Sequence, residues 1–167
     1  MKNKKLLLGI AWAWLTCLSA NAEVKLPAFF SDGMVMQQQT RANLWGTATP
    51  DAPVKITTSW DKQTYKTTAD AKGAWKLALS TPSAGGPYTI TFDDGKLTEI
   101  RDILMGELWL CSGQSNMEMP MKGFKNQPVE NSNTDVMNSR NPQLRLFTVK
   151  RSSSFTPKTD VVGTWQE

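Results

Sequence analysis

Between residues 23 and 102 the apolar positions recur at every second residue and no helical period is sustained. Trp75, Leu77 and Leu79 fall on one side of a run, and Tyr88, Ile90 and Phe92 on one side of another. Val54-Lys55-Ile56-Thr57 and Tyr65-Lys66-Thr67 alternate in the same way. Between the runs lie Asp32-Gly33, Pro50-Asp51-Ala52-Pro53, Lys72-Gly73, Gly85-Gly86-Pro87 and Asp94-Gly95, all turn-forming combinations. Short strands with this punctuation predict an all-β sandwich over 23–102.

From Ile103 the pattern changes. Residues 107–111 hold Leu108, Trp109, Leu110 and Cys111 with almost no polar break, which predicts a short buried strand. Ser112 and Gly113 interrupt it, Gln114-Ser115-Asn116 follow, and Met117-Glu118-Met119 read as a first helical turn stopped or bent near Pro120. Asn126, Gln127 and Asn131 lie in a polar stretch too poor in apolar residues to be buried; it reads as a solvated loop, or as one edge of a binding pocket. Residues 135–138 suggest one or two helical turns ending before Asn141-Pro142, and 144–149 a second strand. Strand, turn, helix, loop, strand is the opening of an α/β layered domain, here over 103–167.

The first 22 residues belong to neither part. MKNKK is a positive start, LLLGIAWAWLTCLSA an apolar core, and Ala20-Asn21-Ala22 a small-residue cleavage site. That core is about 15 residues, short of the roughly 20 that span a bilayer, so 1–22 reads as a cleaved signal peptide and the protein as periplasmic or secreted, free of the membrane once cut. The leader also explains most of the +4 charge. Without Lys2, Lys4 and Lys5, the 19 basic residues become 16 against 15 acidic ones, a net of +1. No basic patch with interleaved aromatics remains to bind nucleic acid. The 40% hydrophobic and 20% charged content is that of a folded soluble protein.

Cys17 departs with the leader. Cys111 is then alone, cannot form an internal disulfide, and is expected to lie buried in its apolar strand. The chain has no histidine. That excludes a Cys–His nucleophile pair and removes the commonest zinc ligand, and no carboxylates cluster at metal-ligand spacing, so neither metal nor cofactor is expected.

Ser115 supports two readings. A serine after a small-residue turn, between an apolar strand and a helix start, is how many folds present a nucleophilic hydroxyl beside free N–H groups. Ser115 with Glu118 also fits the S-x-x-E capping box, in which the serine only satisfies those groups. The G-x-S-x-G elbow does not fit, because Met117 occupies its second glycine position. Ser59 and Lys62 match S-x-x-K only in a strand-and-turn region. Trp45, Trp60 and Trp75 are either core plugs or an exposed platform for stacking sugars.

LCSGQSNMEMP resembles the first block of the SGNH-type hydrolases in their GQSN variant, and is most similar to the sialate O-acetylesterases. LPAFFSDGMVMQQ, LWGTATPDAPVKI and GELWLCSGQSNMEMP occur in that family's order, with NQPVENSN and GTW adding to the match. The resemblance implies a β-rich domain packed on a three-layer, flavodoxin-like α/β esterase domain. It implies that Ser115 attacks an acetyl carbonyl with its own N–H as an oxyanion donor, and that Gln114 and Asn116 hold the loop or meet substrate. The substrate implied is an acetylated sialic acid or related glycan. The remaining donors and a histidine base come from later blocks in such enzymes. Residues 103–167 are therefore expected to be an incomplete domain, inactive alone. A carbohydrate-binding or spacer module, and an esterase for another acetylated polysaccharide, are the alternatives.

Overall fold

The computed structural model describes residues 23–167; the leader at 1–22, with Cys17, lies outside the described residues. The described chain is mostly β-strand, with two short helices. Its first part contains β1 (Val35–Gln37), β2 (Arg41–Thr47), β3 (Pro53–Thr58), β4 (Thr64–Thr68), β5 (Ala74–Ser80), β6 (Gly85–Asp93) and β7 (Leu97–Gly106). β1, β7, β6, β3 and β4 lie side by side in that order, and β2 pairs with β5 in a separate two-stranded sheet. Only the edge pair β1–β7 is parallel, with Val35 opposite Leu104; the other pairs of both sheets are antiparallel.

Period-two patterning is realised most cleanly in β3, where Val54, Ile56 and Thr58 are buried while Pro53, Lys55 and Thr57 are exposed. The two sheets share one apolar core. Leu44, Trp75 and Leu79 come from the smaller sheet, and Val54, Ile56, Ile90, Phe92, Ile103 and Met105 from the larger. Burying one such side chain fully is worth about 1.5–3 kcal/mol. Gly46 of β2 sits where a Cβ would run into the Lys25 carbonyl, in the bridge that ties Lys25 to Thr47.

The runs over 54–57, 65–67, 75–79 and 88–92 all lie inside strands. The apolar alternation in β7 is broken at a bulge: Ile90 faces Ile100 but Tyr88 faces Ile103, so Arg101 and Asp102 together oppose one residue of β6. The extra residue carries the buried positions from Ile100 to Ile103 and Met105 instead of to 102 and 104. A boundary expected at 102/103 therefore falls within a continuous strand that stays in the sheet to Gly106. Asp102 takes a left-handed conformation (φ 57°), which aspartate tolerates better than most residues.

Beyond Gly106 the expectations need correction. Residues 107–111 form no strand and are exposed, with Trp109 at 83% and Leu110 at 94%, and Cys111 is exposed rather than buried. A buried strand needs neighbours on both edges and cover on both faces, and the described residues supply neither. The second expected strand shrinks to β8 (Leu146–Phe147), which pairs antiparallel with β9 (Trp165–Gln166) and not with 107–111. The helical turns are present as α1 (Ser115–Glu118) and α2 (Ser132–Asn138). No α/β layer is assembled from these pieces among the described residues.

The last residues pack back on the first part. Trp165 donates its indole N–H to the Phe29 carbonyl at 2.8 Å, Trp45 donates to the Thr159 carbonyl at 3.1 Å, and the Ala28 N–H reaches the Asp160 carboxylate at 2.8 Å. Arg145 pins this seam. Its side chain is only 6% exposed, and one guanidinium nitrogen donates to both the carbonyl (2.7 Å) and the carboxylate (2.8 Å) of Asp102, while the other lies 3.4 Å from Glu167. The left-handed turn at Asp102 thus meets the arginine with two acceptors. Arg145→Met should weaken the hold of 145–167 by about 1.5–3 kcal/mol, the worth of charge-assisted bonds. Limited proteolysis should then cut within 145–167 while 35–106 resists; a cleavage pattern identical to the parent's would show that Arg145 is not the pin.

Candidate functional site

Ser115 is the first residue of α1, and Gln114, whose backbone (φ −124°, ψ −132°) is neither helical nor extended, stands at the cap position. No side chain caps this helix, so the S-x-x-E box is not formed. Glu118 turns outward instead to a solvent-exposed pair with Arg151 at 2.7 Å, the kind worth 1 kcal/mol or less as a rule. The turn is closed by the Met117 N–H donating to the Gln114 carbonyl at 2.9 Å. A Cβ on Gly113 would lie 2.9 Å from the Met117 side chain, so the small residue lets the turn fold tightly. Met119 returns to extended backbone before Pro120, which ends the helix as expected.

Gln114, Ser115 and Asn116 are all exposed, on one short turn, so the structure brings the three predicted site residues together. The hydroxyl of Ser115 is open to solvent. It is not enclosed, however. One open cleft is lined by Phe30, Asp32, Glu99, Ile100 and Trp165, another by residues between Val149 and Val162, and Ser115 lines neither. A solvated serine without a base beside it is unreactive. Among the described residues no group of three or more Cys, Asp or Glu is placed to hold a metal ion.

The polar stretch after α1 is turn and cap. Phe124 and Gln127 exchange backbone hydrogen bonds at 3.1 and 3.0 Å around Asn126, which is left-handed (φ 63°). Asn131 (φ 57°) holds the cap position of α2. Local geometry accounts for both asparagines without a ligand.

The tryptophans form no common exposed platform. Trp75 is buried, 5.9 Å from Phe92. Trp45 packs edge-on against Phe29 and Phe30 at 5.2 and 4.8 Å, and Trp60 packs on Tyr88 at 5.7 Å with its N–H on the Ser80 carbonyl.

One polar network escaped the sequence reading. Where β7 ends, the two carboxylate oxygens of Glu107 each accept an amide N–H, from Gln37 at 3.0 Å and from Gln38 at 2.8 Å. These bonds hold the Glu107 carboxyl below the usual carboxylate range, Gln37 contributing most. The pairing spans about seventy residues, so spacing along the chain could not reveal it.

No family model matches the chain. Among curated proteins it is 30% identical over 155 residues to the sialate O-acetylesterase of Pongo abelii, covering 87% of this chain and 29% of that protein. It is 32% identical over 131 residues to the sialate O-acetylesterase of Homo sapiens, covering 72% and 25% respectively. Among solved structures, a carbohydrate acetylesterase from Xanthomonas citri superposes with a TM-score of 0.77 at 33% identity, over 86% of this chain and 32% of that one. The chain thus spans about 29% of the length of the first of these relatives.

Proposed function

We propose, from the premise that the chain is a relative of the sialate O-acetylesterases over the stretch it shares with them, that it supplies the nucleophile-bearing part of an exported esterase. The reaction would be hydrolysis of O-acetyl esters on sialic acids. Related acetylated glycans are the second substrate class. Named relatives in sequence and structure are acetylesterases, and that carries the class of chemistry. The feature of this chain that supports a role for Ser115 is its exposed hydroxyl between Gln114 and Asn116, at a helix start with no capping bond to occupy it.

In this reading the Ser115 oxygen attacks the acetyl carbonyl carbon while a base takes its proton. The carbonyl oxygen becomes an oxyanion facing the Ser115 N–H and neighbouring donors, each worth about 3–4 kcal/mol in an aligned site. The sugar oxygen leaves with a proton, and water then frees acetate from the serine. Gln114 and Asn116 position the loop or meet substrate oxygens. The base lies outside these residues: the chain has no histidine, and Glu118 is engaged by Arg151. In this reading the 167 residues are inactive alone, with the base supplied from outside them. Residues 1–22 are the export leader that brings the protein to extracytoplasmic glycans.

Acetate release tests this. O-acetylated sialic acid and a second acetylated glycan should give none with the 167 residues, and release with a chain extended to the length of the relatives. Absence of release from both substrates by the extended chain would overturn the esterase reading in favour of a binding or spacer module.

A further inference from the structure

The segment LPAFFSDGMVMQQ marks the relationship but has no part in the chemistry above. Its last residues are placed to do something else. Gln37 of β1 lies opposite Gly106, the final residue of β7, and the Gln38 N–H donates to the Gly106 carbonyl at 2.9 Å. Both side chains therefore reach Glu107, the first residue to leave the sheet.

A glutamine amide carries donors and an acceptor on one plane, and both glutamines use both. The Gln37 amide donates to Glu107 and accepts the N–H of Leu108 at 2.9 Å. The Gln38 amide donates to the other Glu107 oxygen and accepts the N–H of Ala84 at 2.7 Å, in the turn before β6. Two successive residues of the departing chain are thus gripped by side chain and backbone at once. Among the described residues no hydrogen bond ties 109–113 back to the sheets, so this grip is the last hydrogen-bonded hold on the chain before Ser115.

We propose that Gln37 and Gln38 are positioning residues that, through Glu107 and Leu108, fix the direction in which the Ser115 segment leaves the sheet. The catalytic consequence rests on the esterase reading; the clamp itself does not.

The test separates the two. In Gln37→Glu two carboxylates face each other, and the repulsion that drives them apart withdraws the residue-37 oxygen that accepts the Leu108 N–H, so that amide should exchange its hydrogen about tenfold faster. Exchange at Ile90 and Phe92 should be unchanged. The double variant Gln37→Glu, Glu107→Gln restores a carboxylate–amide pair with the roles swapped and should return Leu108 to the parent rate. Unchanged Leu108 exchange in the single variant, or no recovery in the double, overturns the clamp. In the extended chain, Gln37→Glu should lower kcat with KM little altered, and the double variant should recover it; an unaltered kcat overturns the positioning role. If the extended parent releases no acetate while the exchange pattern holds, the esterase reading falls and the clamp stands.

Discussion

Ser115→Ala, made in a chain long enough to release acetate, should lower the rate by about 10³-fold or more and leave the melting transition where it was. The two halves of this result are coupled by geometry. The serine oxygen makes no capping bond, so its removal orphans no N–H. Alanine also has the higher helix propensity, and an exposed change of this kind moves stability within about 0.5 kcal/mol. Were the residue a cap, the same substitution would cost about 1 kcal/mol of stability and leave hydrolysis alone. Measuring acetate release and the denaturation midpoint on one preparation distinguishes the two roles. Release equal to the parent's would remove Ser115 from the mechanism.

Phe92→Ala should have the largest effect on folding. The ring is fully buried, lies in register with Ile56 on β3, and faces Trp75 from the other sheet at 5.9 Å. Removing it leaves a cavity at the centre of the shared core, at about 3–5 kcal/mol for phenylalanine to alanine. A domain of this kind is stable by about 5–15 kcal/mol in total, so the variant should unfold at a much lower urea concentration or not fold at all. Phe155 provides the contrast. It is wholly exposed, and Phe155→Ala should leave the urea midpoint unchanged. A shift below about 1 kcal/mol for Phe92→Ala would mean that the two sheets do not meet around this ring.

How far the sequence could be read follows from the range of the interactions. Trp75, Leu77, Leu79, Tyr88, Ile90 and Phe92 announce their strands because burial on one face forces alternation. β7 was obscured by the bulge at Arg101 and Asp102, which shifts the alternation by one residue within a strand. Leu108, Trp109 and Leu110 misled in the opposite sense. Their composition reads as a buried strand, but the described residues place no strand beside them and leave them exposed. Gln114, Ser115 and Asn116 could be singled out from their place after the glycine turn, and they lie exposed on one short turn. The grip on Glu107 could not, since two ordinary glutamines acquire their role only when β1 is laid beside β7.

The seam between the start and the end of the described chain also has a timetable. The Ala28–Asp160 and Phe29–Trp165 hydrogen bonds join residues 132 and 136 positions apart, while the core strands find partners much nearer in the chain. Closing a loop of that size is entropically slower than pairing neighbouring strands. During synthesis the sheets can therefore assemble before the Phe29 carbonyl and the Trp45 indole have met Trp165 and Thr159. The hydrogen bonds of this corner are completed only when residues 159–165 emerge, which makes it the place where a nascent chain is most open to chaperones and to aggregation.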